Sequence, residues 1–434
     1  MIATIIISGL TFIGITLSIL FFPHIRIKHL KLDTYWLIAL LGAVILVATT
    51  LCPLHEVLDS WTSNTAVNPI KILILFFSMT ILSIYLDELG LFKFLAAFAV
   101  NRAKGHQYVL FFVLYLLVSV LTVFTSNDIV ILTFTPFICF FCKHAKINPL
   151  SYLIAEFAAA NTWSMMFIIG NPTNIYLATS AGITFIEYLK VMLLPTVAAG
   201  LVELGIIYLL FAKKLREPLN NDEVIKVHID SKVDLIIGGA HLLICLIFLI
   251  ISPYIHVEMW LISAICALSL LFCSLLMRLI RKKEWIYLED CFKRLPYQLI
   301  PFILSMSVIV ITLNYQGVAA KIGDFLNGGI TILSYGTSSF LFSNIINNIP
   351  MSILFSNIPV ALTNGEYLKA IYSSIIGSNI GAFLTPIGAL AGIMFSNLLN
   401  KYDVKFTFLD FIKYGSIISV PVLSTALLML ALFI

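Results

Sequence analysis

Charge is what this chain has least of. Only 11% of its 434 residues are Asp, Glu, Lys or Arg, while 60% are hydrophobic, and mean hydropathy is +1.04. Soluble domains carry roughly a quarter charged residues, so a water-soluble globule is excluded. A net charge of +4 leaves no basic surface for nucleic acid, which is not expected as a partner. The seven cysteines are scattered, mostly in apolar runs where a thiol is a small hydrophobe, so no disulfide framework is implied. Cys139 and Cys142 form a C-x-x-C pair on an expected membrane helix; an ordinary core role outweighs a soft-metal one there, and no metal site is expected. Walker-type phosphate loops, HExxH and GxSxG are missing, which excludes the matching enzyme classes and leaves no catalytic residue and no cofactor to expect.

What is present is a series of apolar runs, and runs near about 20 residues cross a bilayer as helices. They extend from Ile2–Phe22 to Phe408–Ile434, and the first lacks a basic leader and a small-residue cleavage pattern, so it is expected to stay as a helix. The class is an all-α polytopic protein of the cell membrane, multi-pass in the lipid bilayer, with about 10 spans plus 2 hairpins. Several runs are too short to span alone.

Lys and Arg assign the sides of the loops, because cytoplasmic loops are enriched in both. Arg26, Lys28 and Lys31 place the first loop inside; the stretch 55–68 has neither residue and lies outside; Arg102 and Lys104 return inside. Leu89–Val100 then reads as a short amphipathic helix along the inner surface. Lys143 and Lys146 are also basic, so Tyr108–Phe141 leaves from and returns to the same side, as two spans or as a re-entrant hairpin. Continuing the count, five Lys and Arg in the stretch 213–232 and six in 278–294 mark further inside loops. A second hairpin near Ile332–Leu362 therefore starts and ends outside, opposite to the first.

The halves also echo each other in sequence. Asn127-Asp128-Ile129 matches Asn347-Asn348-Ile349 at an offset of 347 − 127 = 220 residues, and Phe185–Lys190 matches Phe408–Lys413. The expected organisation is a first repeat over 1–212 with hairpin 108–142 and broken helix 148–180. A cytoplasmic linker follows over 213–233, then a second repeat over 234–434 with hairpin 332–362 and broken helix 367–399. Inverted repeats with interrupted helices at matching places point to a secondary transporter and to the location of its site.

A helix broken at mid-membrane exposes backbone groups that are tolerable only where they line a cavity or meet a ligand. The expected substrate and ion-binding residues are therefore Ser126, Asn127 and Asp128 at the first tip and Asn161, Gly170, Asn171, Thr173 and Asn174 at the first break. In the second half they are Asn347 and Asn348 at the tip and Asn379, Thr385 and Gly388 at the break. Their donors and acceptors suit a small polar solute or an oxyanion. Asp128 has no acidic counterpart, Asn348 standing in its place, so it is the proton-coupling candidate, with a cation ligand or a hydrogen-bonded cap as the other readings. Glu156 and Glu203 lie in apolar segments and are expected to face packed interfaces or headgroups.

The runs Asn127–Pro136, Asn161–Ser164, Gly170–Asn174, Asn347–Pro350 and Leu384–Ala389 resemble the ion transporter superfamily, and within it most resemble the arsenite/antimonite permeases of bacterial arsenical resistance. The likeness covers nearly the whole chain. It implies two inverted repeats with hairpins and broken helices, working by an elevator-like or related alternating-access motion, with the site residues named above at the tips and breaks. At Asn161 and Asn379 the chain departs from the acidic residues expected of those permeases. The function expected is secondary transport of a small inorganic or oxygen-rich solute, specifically arsenite/antimonite efflux coupled to H+. The alternatives are a Na+-coupled carrier of a dicarboxylate, citrate or sulfate-like anion, and a sodium/proton antiporter; a sensor or channel is a reading of another class. A homodimer and a separate ATPase subunit are the protein partners considered.

Overall fold

The computed structural model describes residues 1–434 except 23, 28, 29, 66, 67, 104, 220–228, 230, 282–285, 359 and 360. In chain order the first helices are α1 (Ile2–Phe21), α2 (Thr34–Ala48), α3 (Leu54–Thr62), α4 (Pro69–Glu88) and α5 (Leu91–Arg102). Next come α6 (Gln107–Phe124), α7 (Asn127–His144), α8 (Leu150–Trp163), a 3-10 turn at Ile168–Gly170, α9 (Pro172–Ser180) and α10 (Phe185–Leu215). The second half holds α11 (Lys232–Ile255), α12 (Met259–Arg281), α13 (Ile286–Lys293), α14 (Leu299–Tyr315) and α15 (Val318–Leu326). It closes with α16 (Thr331–Ile346), α17 (Asn348–Phe355), α18 (Asn364–Gly381), α19 (Leu390–Lys401) and α20 (Phe408–Phe433).

The all-α architecture holds, with one small addition. Strands β1 (His24–Ile27) and β2 (Leu30–Asp33) form an antiparallel ribbon, Ile25 opposite Leu32, in the first basic loop. Alternating basic and aliphatic residues give this stretch a period of two, which a hydropathy reading averages away. Seven helices among the described residues are long and apolar enough to cross a membrane, and α14 with α15, bent by 78°, would make an eighth. The broken elements α8–α9 and α18–α19 and the 15-residue α2 fail that test one by one, which is why the count differs from ten. Helix α10 runs through Leu215, past the expected boundary at 212; much of the expected linker, at 220–228 and 230, lies outside the described residues, as do 359 and 360 of the second hairpin. Helix α5 is present, but it buries Phe92, Ala96, Ala99 and Val100 and still exposes Phe94 and Phe98, so it is apolar on more than one face.

The packing is reciprocal. Helix α6 lies mainly against α8, and α16 against α18. Helix α7 packs on α19, while α17 packs on α9, so each tip helix meets the short helix that follows the other half's break. Helices α10 and α20 pack together, and the repeated sequence at their starts has a structural reason. Thr184 with Glu187, and Thr407 with Asp410, close capping boxes that satisfy the first free N–H groups of each helix. Sequence echo and cap echo coincide.

Candidate functional site

Asn127 opens α7, with its side chain 2% exposed, and its amide donates to Asn161 Oδ1 at 3.2 Å. Asn161 in turn donates to the Phe157 carbonyl at 2.8 Å. Tip and broken helix of the first half are thus joined by paired amides, each of which must find a partner because water is excluded here. Helix α8 stops one turn later, where Ser164 Oγ donates back to the Asn161 carbonyl. At Gly170 the chain returns so close that a Cβ would collide with the Ser164 carbonyl oxygen, so glycine is required. Helix α9 then starts at Asn171, whose side-chain oxygen accepts from the Thr173 N–H and hydroxyl at 3.1 Å, with Pro172 at the first helical position.

The two breaks are joined through Asn379. Its oxygen accepts from Ser164 at 3.0 Å and from Asn171 at 2.9 Å, and its amide donates to Asn174 Oδ1 at 2.6 Å and to the Ile375 carbonyl at 2.8 Å. Asn174 also donates to the Ser164 and Phe167 carbonyls, and Ser378 donates to Thr173. The sequence singles out neither Phe167 nor Ser378, and Ser164 enters only as the end of the Asn161–Ser164 run. The recurrence of Asn at both breaks is a sequence signal for this region, and it carries no sign of a direct bond between halves.

The second tip is closed more tightly. Asn347 sits at φ +73 and caps α17 through Ile349, while its amide donates to the Ile387 carbonyl at 2.9 Å. The Asn348 N–H donates to the Gly388 carbonyl at 3.0 Å, and Thr385 donates to Asn344 Oδ1 at 2.7 Å. Gly388 has no room for a Cβ, which would stand 2.6 Å from the Gly381 carbonyl oxygen. Asn348 is buried, yet its side-chain oxygen has no hydrogen-bond partner among the described residues.

Asp128 stands apart from these networks. It lies in the first turn of α7, where helix N–H groups favour a negative charge, and the preceding Ser126 makes no side-chain cap. With Ser126 it lines a cavity of about 760 Å³ bounded by α1, α2, α4, α7, α19 and the segment after α13. The charged residues at that wall are Asp33, Asp128, Lys293 and Arg294. Arg294 is paired with Asp87 at 2.7 Å and with Glu88, and Lys293 with Glu289 at 2.7 Å and Asp290 at 3.5 Å. The Glu289 hydrogen bond holds the Lys293 ammonium above its ordinary range, so both cations stay charged and partnered. Asp87 also accepts from Thr133 of α7 at 2.7 Å, linking α4, α7 and the segment after α13.

Of the expected residues, Asn127, Asn161, Gly170, Asn171, Thr173, Asn174 and Asn379 meet in one connected region, Asn347, Asn348, Thr385 and Gly388 in a second, and Ser126 and Asp128 face the cavity. Glu156 and Glu203 are interior, 1% and 0% exposed, rather than at headgroups. Glu156 accepts from Thr135 at 2.9 Å, and Glu203 accepts from Tyr115 at 2.9 Å and from Thr162. No group of three or more His, Cys, Asp or Glu that could hold a metal ion occurs among the described residues.

Apolar spanning helices with two interrupted ones meeting at a polar centre define a membrane transporter. Residues 34–373 match the citrate transporter family, and the chain belongs to it. An arsenical pump membrane protein of Escherichia coli is 27% identical over 416 residues, covering 91% of this chain and 92% of that protein. An uncharacterized transporter of Mycobacterium tuberculosis is 24% identical, covering 88% and 90%. Among solved structures, the Alcanivorax borkumensis YdaH transporter matches with a TM-score of 0.58 at 14% identity, covering 99% of this chain and 97% of that one. Neisseria gonorrhoeae MtrF matches with a TM-score of 0.55 at 13% identity, over 99% and 94%. The protein is a multi-pass secondary transporter.

Proposed function

We propose that this transporter exports the neutral hydroxides of trivalent arsenic or antimony in exchange for protons, with Asp128 as the exchanging carboxyl. The observation that carries the reading is the charge of the cavity wall. Asp128 lies on it, and both cations there are already paired with carboxylates. Among the described residues of the wall, a polyanion would meet acidic side chains and no unpaired ammonium or guanidinium, at a cost of several kcal/mol per desolvated charge. A neutral polyhydroxyl solute meets no such barrier. The Escherichia coli relatives named as arsenical pump membrane proteins support the same substrate class.

In this reading the halves are inverted repeats, supported by the reciprocal packing of α7 on α19 and α17 on α9. The tip and break residues form the frame of the solute site rather than a set of free ligands, since most of their amides are bonded to one another. A second reading, Na+-coupled uptake of an anion, is favoured by the citrate transporter family match. Expression in cells deleted for their arsenical pump separates the two. Restored arsenite resistance together with proton-dependent arsenite uptake into everted vesicles supports export. Unchanged sensitivity with Na+-dependent citrate uptake overturns it.

A further inference from the structure

Glu203 of α10 is a fully buried acid that belongs neither to the cavity nor to the two tips, and it meets α8 where that helix breaks. Thr162, the neighbour of Asn161, donates its hydroxyl to Glu203 Oε2, and Glu203 Oε1 lies 2.9 Å from the Tyr115 hydroxyl of α6. That hydroxyl also lies 2.7 Å from the Gly200 carbonyl of α10, and it accepts from the Trp163 indole N–H at 3.1 Å. Trp163 is the last residue of α8, and its ring packs so closely on Gly200 that a Cβ there would stand 2.5 Å from it. On the other side of Ser164, Tyr188 of α10 donates to the Met165 carbonyl at 2.9 Å. Helix α10 therefore grips the chain on both sides of Ser164, the residue that bonds across to Asn379. Among the described residues, no side chain of α11 or α20, which also pack on α10, bonds to Glu203.

Counting protons in this cluster fixes the state of the acid. A phenol has one proton to give and two lone pairs to receive with. The Gly200 carbonyl can only accept, so the 2.7 Å contact uses the phenolic proton. The 2.9 Å contact to Glu203 then needs a second proton, and only the carboxyl can supply it. With Glu203 protonated on Oε1 every group is matched: Glu203 and Trp163 donate to the phenol, the phenol donates to Gly200, and Thr162 donates to Oε2. With Glu203 ionised, one phenolic proton faces two acceptors, and a buried charge is left with no cation bonded to it among the described residues, which is costly. We propose that Glu203 stays protonated throughout the transport cycle and is a positioning residue, a neutral acid that fixes the end of α8 and with it Asn161 and Ser164. The protonation stands on the cluster alone, whereas the positioning role rests on the reading of the first break as the frame of the solute site. The two acids thus divide the work: Asp128 exchanges its proton, and Glu203 keeps its own.

Infrared spectra of the full chain in lipid nanodiscs test the protonation without any solute. The natural chain should show a protonated-carboxyl C=O band that moves down in D2O and persists over the pH range in which the protein is folded. Glu203→Gln should lack that band and melt at the natural temperature, because its amide donates to Tyr115 and accepts from Thr162 in the same places. If the Gln variant does not fold, Thr162→Val supplies the check: it takes a hydrogen bond from the acid carbonyl, so the band should move up. Transport is then read with arsenite, or with citrate if the natural chain carries that instead. Glu203→Gln should stay within about twofold of the natural rate with the natural pH profile, while Glu203→Leu, which deletes both hydrogen bonds of the acid, should lose about tenfold in kcat/KM. The protonation is overturned if the Gln variant loses no band or, in its absence, the Val variant shifts none. An altered pH profile in the Gln variant would make Glu203 a proton carrier, and natural kinetics in the Leu variant would remove its positioning role; either overturns the proposal. The infrared result does not depend on which solute is carried, so its failure is distinct from failure of the export reading.

Discussion

At the first tip Asp128 reaches a cavity of about 760 Å³, whereas at the second its counterpart Asn348 is 3% exposed and its side-chain oxygen has no partner among the described residues. The first tip leans on its broken helix through side chains, Asn127 to Asn161. The second is held by backbone, Asn348 N–H to Gly388 and Asn347 to Ile387. Similar residues in related positions therefore serve two ends: one tip keeps an ionisable group beside open space, and the other is fastened shut. In the export reading, this places proton exchange at the first tip and leaves the second to hold geometry.

Substitutions can break this contrast. The largest effect is expected from Gly170→Ala, because the new Cβ meets the rigid Ser164 carbonyl; about 4 kcal/mol of stability should go, read as a lowered melting temperature in detergent. Gly388→Ala should cost less, since one of its near neighbours is the Asn344 side chain, which can turn away. Next, Asp128→Asn should cut proton-driven arsenite transport about 100-fold while leaving melting within about 1 kcal/mol, as for loss of a proton-transfer group. Normal transport by this variant would place proton exchange elsewhere. Asn379→Ala removes four hydrogen bonds and Asn161→Ala two, so the melting loss should be about 3 against about 1.5 kcal/mol. Equal losses would mean that the tie between halves adds nothing. The smallest effect is expected from Asn348→Leu, within about 1 kcal/mol, because it removes an unpartnered oxygen at nearly constant volume.

Much of the centre could be read from sequence because polar residues and glycines are conspicuous in apolar runs. Asn127, Gly170, Asn171, Asn347, Asn379 and Gly388 each interrupt such a run, and Thr184 and Thr407 stand at helix starts that recur. What could not be read depends on approach between distant helices. The Arg294 pairing with Asp87 spans α4 and the segment after α13, and Glu203 is sealed by Tyr115 and Thr162 from two other helices. Hydropathy assigned Glu203 a cost without assigning it a partner. The ribbon at His24–Asp33 escaped because two four-residue strands are shorter than the windows that reveal spans.

The tie at Asn379 also bears on biosynthesis. Ser164, Asn171 and Asn174 bond to a residue 205 to 215 positions later in the chain. During synthesis the first break enters the membrane with the Asn171 side-chain N–H and the Asn174 Oδ1 still lacking their final partner, which arrives only when α18 is inserted. Unmet polar groups in hydrocarbon are costly, so the early half must wait in a hydrated or otherwise sheltered state. The last third of the message therefore decides when the first half finishes folding.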